Sequence, residues 1–120
     1  MDDLAAGLDE ALRRETAQRK PGALIGFVVD TAVPAKSRGW VYVAACFARD
    51  AARADALRKD WDLLWPPHAH VHPPEALDLV ALYDRGRYDR EEADAAVDWV
   101  DRQAIARGLP RPRVTGGADA

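Results

Sequence analysis

The chain has 120 residues, 48% hydrophobic and 31% charged, with a net charge of −3 and a sequence pI near 5.5. That length suits one domain, and the apolar fraction is too high for a disordered chain. The acidic balance, with bases interleaved among the acids, argues against a phosphate-backbone binder, so nucleic acid is not an expected partner. The longest apolar run, Trp40 to Ala48, falls far short of the roughly 20 residues that span a bilayer, and no membrane partner is expected. Met-Asp-Asp-Leu is an acidic start unlike a secretory signal, and the single cysteine, Cys46, allows no internal disulfide. Both features lead to the expectation of a cytoplasmic protein. One globular domain is expected over residues 1–110, with an aperiodic tail over 111–120.

The first predicted element is a helix over Asp2 to Arg19. Leu4, Leu8, Ala11 and Leu12 fall on one stripe, while Asp9/Arg13, Glu10/Arg14 and Glu15/Arg19 are spaced for pairing on the polar side. Pro21-Gly22 stops it. Ala23 to Asp30 and Trp40 to Ala48 are rich in β-branched and aromatic residues and read as an antiparallel hairpin around a long loop. A single helix from about residue 38 to 65 competes, because Trp40, Val43, Phe47, Ala51, Ala54, Leu57, Trp61 and Leu64 step by threes and fours. Trp-Val-Tyr-Val is poor helix material, which favours the strands.

On the strand reading, Asp50 caps a helix running to Trp65, with Leu57, Trp61, Leu64 and Trp65 inward and Asp55/Lys59 paired outside. Pro66-Pro67 ends it, and the segment from Pro66 to Pro74 is expected to be extended, because each proline also pushes its predecessor out of the α region. Glu75 to Arg85 then reads as a helix burying Ala76, Leu79, Val80, Leu82 and Tyr83, with Gly86 as its left-handed stop. Asp89-Arg-Glu-Glu92 has capping-box spacing, and Ala93, Ala96, Val97, Val100 and Ala104 form the stripe of a last helix closed by Gly108 and Pro110. The stretch Leu77 to Asp101, with Leu-Tyr-Asp-Arg-Gly-Arg-Tyr-Asp-Arg-Glu-Glu-Ala at its centre, resembles the short helical-hairpin modules found at the ends of many bacterial proteins. The resemblance implies a helical hairpin there and carries no function.

Candidate nucleophiles are few: the chain has one serine, three threonines, one cysteine and no asparagine. Cys46 lies in the apolar run, where burial keeps a thiol protonated and inert, and Ser37 stands in a turn without a nucleophile motif. Gly116-Gly117 sits in the tail and makes no phosphate loop. The constellation with metal chemistry is His68, His70 and His72, which are all the histidines, spaced i, i+2, i+4 between two proline pairs. In an extended segment they point to one side, yet the outer two lie about 13 Å apart, so at most two could hold zinc or another divalent transition metal with a carboxylate such as Glu75 or Asp78. A solvent-exposed, proline-bounded loop competes with that reading, as does a patch that charges below the imidazole pKa. Trp61 and Trp65 sit one helical turn apart and suit either a core stripe or a partner groove.

The expected fold is α+β: an N-terminal helix, a β-hairpin covered by helices and a C-terminal helical hairpin, with an all-α bundle as the alternative. The expected function is a small protein-binding module of the adaptor, inhibitor, immunity or assembly-subunit type, without catalysis. Its partner would be another protein or a second copy of itself, because a two-stranded sheet leaves an open edge. The rival expectation is a metal-dependent enzyme or sensor built on His68, His70 and His72.

Overall fold

The computed structural model describes residues 2–32, 39–61, 78–88 and 90–115. Its elements run α1 (Asp2–Gln18), β1 (Ala23–Ala32), β2 (Gly39–Ala48), α2 (Ala51–Lys59), β3 (Asp78–Tyr88), α3 (Arg90–Arg107) and β4 (Arg113–Thr115). The four strands form one mixed sheet in the order β3-β2-β1-β4. The fold is therefore α+β, and the all-α alternative is set aside.

The hairpin forms as its composition predicts. β1 and β2 pair antiparallel from Ala23↔Ala48 to Ala32↔Trp40, so Trp40 to Ala48 is a strand and not part of a long helix. Alternation sends Val41, Val43, Ala45 and Phe47 to the first face of the sheet, where α1 and α3 cover them. Cys46 and Ala48 go to the second face, beneath α2. A bulge between Leu24 and Gly26 shifts the register of β1. It leaves Leu24 on the first face while Ile25 and Gly26 both address the second, where a Cβ on Gly26 would lie 2.9 Å from the Trp61 ring.

The first face holds the larger core. α1 contributes Leu8, Ala11 and Leu12, the predicted stripe, and α3 contributes Ala93, Ala96, Trp99, Val100 and Ala104. Trp99 packs edge-on against Phe27 with ring centroids 5.6 Å apart, and its indole Nε1 donates to Asp9 Oδ1 at 2.9 Å. Asp9 is thus drawn to α3 and not to Arg13, whereas the Glu15–Arg19 pair forms as its spacing suggests. Gly108, at φ +65°, ends α3 in the left-handed region.

The C-terminal helical hairpin is corrected. Its second member is α3, but the described part of the predicted helix Glu75 to Arg85, from Asp78 on, is instead the strand β3, paired antiparallel with β2 from Gly39↔Tyr88 to Phe47↔Asp78. The cause is a register shift between Val43 and Ala44. It places Val80, Leu82 and Tyr83 together against the first-face core, so the apolar positions break the two-residue period of a strand and imitate a helix. The open side of β2 supplies the backbone hydrogen bonds that outweigh the helical preference of Ala, Leu and Arg.

Residues 111–115 are also tied down further than their composition suggests. Arg113–Thr115 form β4, parallel to β1 through Val28↔Arg113, Val29↔Val114 and Asp30↔Thr115. The Arg111 carbonyl accepts from Trp61 Nε1 at 2.8 Å. These residues, read from the sequence as part of a tail, belong to the sheet.

Candidate functional site

The second face is covered at one end by α2. Asp50 caps that helix by accepting from Arg53 N at 2.8 Å, and Ala54, Leu57 and Trp61 close over Ile25, Val28, Cys46 and Ala48. Asp55 pairs with Arg58 at 2.7 Å and not with Lys59, and Arg58 also donates to the Leu24 carbonyl, which fastens the helix to β1. The Cys46 thiol is fully buried in this cluster, and burial raises its pKa well above the ordinary range. It is a core group and not a nucleophile.

At the other end the same face becomes polar. Strand pairing sets Asp84 of β3 beside Tyr42 of β2, and Tyr42 beside Asp30 of β1, so the three form a row across the sheet. Burial raises the Tyr42 pKa first, with a smaller upward contribution from the Asp84 carboxylate, so its phenol stays protonated. Asp30 is 9% exposed as a residue, and its carboxylate oxygens are not among the buried polar atoms that lack a partner. Trp40, two residues before Tyr42, is 38% exposed and pairs with Gly86, which presents no side chain to it. Two acids and two aromatic rings thus share one end of the second face.

A cleft of about 660 Å³ lies between the helices on the first face, with Asp9, Arg13, Thr16, Lys20 and Arg107 among its walls. Three cations in a cleft invite an anion, but the topology opposes it. α1 leads into β1 and α3 into β4, and β4 is parallel to β1, so the two helices run the same way and bring their C-terminal ends together. Both negative dipole ends meet there, and Arg107, in the last turn of α3, stands where a helix C-terminus favours positive charge.

Of the residues singled out from the sequence, Trp61 is 4% exposed, with its ring over Gly26. Trp65, His68, His70, His72 and Glu75 lie outside the described residues. Asp78 is described and pairs with Arg19 at 3.1 Å. Among the described residues no group of three His, Cys, Asp or Glu side chains is placed to hold a metal, and no helix is long and apolar enough to cross a membrane. The Asp30–Tyr42–Asp84 row was not legible in the sequence, because the three lie on different strands and only the registers bring them together. The one signal available was an aspartate closing the apolar run Leu24 to Val29 at a position where alternation still points inward.

No family model, no curated protein and no solved structure matches this chain, so no activity or partner is carried to it from a relative.

Proposed function

We propose that the chain is a protein-binding module of the adaptor, inhibitor, immunity or assembly-subunit type, acting without catalysis, and that its docking element is the outer edge of β3. The observation that carries this reading is the sheet order: β3 is an outermost strand of eleven residues, and no described strand pairs with its far side. A row of unpaired backbone donors and acceptors of that length is a template for another strand.

The occupant proposed for the edge is a second copy of the chain. Asp78 opens β3, while Arg85 and Arg87 lie near its end. Antiparallel pairing of two copies about a two-fold axis sets the start of each β3, where Asp78 also pairs with Arg19, opposite the end of the other, where the sequence places Arg85 and Arg87. Parallel pairing would set like charges together, so the same residues choose the orientation.

Sedimentation equilibrium of the full chain tests this. The expected result is a dimer whose dissociation constant rises about tenfold in Arg87→Glu, since two cross-strand charge pairs, each worth roughly 0.2–1 kcal/mol, are inverted there. Adding Asp78→Lys to Arg87→Glu is expected to restore the dimer. A chain that stays monomeric at all concentrations overturns the reading, as does a dimer indifferent to both substitutions.

A further inference from the structure

A two-fold axis that joins two antiparallel β3 edges stands perpendicular to the extended sheet, so both copies keep their helices on the same sides of it. α1 is the helix on the β3 side of each copy: it packs on β3 and on α3, whereas α3 packs on β1 and β2. Pairing at β3 therefore makes α1 and its symmetry mate neighbours. Eight strands span roughly 38 Å and four helices set about 8–10 Å apart need roughly 32–40 Å, so the two α1 helices meet.

The side of α1 turned to its mate follows from the sides already occupied. Leu8 and Leu12 enter the core, Asp9 accepts from Trp99 of α3, and Arg13, Thr16 and Lys20 line the cleft shared with Arg107. At about 100° per residue, Gly7, Glu10 and Arg14 fall on the remaining side, and all three are exposed. A Cβ built on Gly7 meets no atom within 4 Å. Among the described residues Arg14 reaches only Glu15, at 3.8 Å, and Glu10 makes no ion pair, so their i, i+4 spacing is not used within the helix. The position along the axis agrees as well. The Arg19–Asp78 pair sets the end of α1 over the start of β3. Residue 12, midway between Glu10 and Arg14, lies about 10 Å back along α1, and the point midway between Asp78 and Arg85 lies about 12 Å along β3. One axis thus passes close to both midpoints.

We propose that α1 is the second layer of the interface between two copies, an antiparallel helix pair in which Glu10 of each copy meets Arg14 of the other and Gly7 allows the close approach. The contact rests on the pairing proposed at the β3 edge and flanks it on one side of the sheet.

Sedimentation equilibrium of the full chain tests the contact with three variants. In Arg14→Glu alone or Glu10→Arg alone, symmetry sets like charges opposite each other twice, and each dissociation constant is expected to rise about tenfold. An equimolar mixture of the two unites opposite charges at both places and is expected to dimerise as tightly as the unaltered chain. That recovery cannot arise within one helix, because the two changes are on different molecules. Gly7→Phe is expected to weaken the dimer about tenfold without lowering monomer stability in urea, since glycine is a poor helix former and its Cβ position is open. A dimer indifferent to Gly7→Phe overturns the proposal. A dimer weakened by Arg87→Glu that shows no recovery on mixing sinks the α1 contact alone, whereas an unaltered chain that stays monomeric sinks the β3 pairing and the contact with it.

Discussion

The two faces of the sheet are built from the same strands and end up as different surfaces. The first carries the larger core, closed by two long helices whose buried residues include Trp99, the largest fully buried side chain among the described residues. The second is closed over Ile25 and Cys46 by the nine-residue α2, and beyond that helix the same strands present Asp30, Tyr42, Asp84 and Trp40. The difference shows how one set of strands makes two surfaces: alternation gives each strand two sides, and among the described residues the side covered only by the short α2 carries Asp30, Tyr42 and Asp84.

The largest expected effect lies on the first face. Trp99→Ala removes a buried ring that contacts Phe27 and leaves the Asp9 carboxylate without its indole donor, and should cost about 3–5 kcal/mol in urea unfolding. A smaller loss would show that the first face is less tightly packed than the burial of Trp99 implies. On the second face, Gly26→Ala drives a methyl into the Trp61 ring and should cost about 1–3 kcal/mol. A double-mutant cycle with Trp61→Leu is expected to recover part of that loss, because the obstructing atoms are gone.

Cys46 supplies a pH test of the same closed end. Burial holds the folded thiol protonated, while the unfolded thiol titrates near 9.0. The contribution is therefore complete below pH 9 and is lost as pH rises beyond it, at up to about 1.4 kcal/mol per pH unit. Cys46→Ala should flatten that slope in denaturant titrations between pH 8 and 10, whatever it does to stability at pH 7. Native protein should also resist a thiol reagent that labels the unfolded chain. The smallest expected effect belongs to the helix cap: Asp50→Ala should cost about 1 kcal/mol, enough to fray α2 and speed amide exchange at Arg53 and Ala54.

Periodicity marked out the elements that follow one rule along their length. α1, with its Leu8, Ala11 and Leu12 stripe, was readable in this way, as was α3 with Ala93, Ala96, Val100 and Ala104. The hairpin was readable from the β-branched and aromatic residues of β1 and β2. Trp99 escaped the α3 stripe because its neighbours Val97 and Val100 satisfied the same pattern, and only packing against Phe27 and Asp9 shows which side chain fills the core.

The sequence by itself marked out both long helices and favoured the central hairpin, and with it the α+β class, over an all-α bundle, since each is a local pattern of side chains that the backbone period sorts into inside and outside. The tertiary structure decided that residues 78–88 are a strand, that Arg113–Thr115 return to β1, and that Asp84, Tyr42 and Asp30 stand side by side. These outcomes depend on hydrogen bonds between segments far apart in the chain. A register shift of one residue exchanges the two faces of a strand, and the sequence around it does not announce on which residue the shift falls.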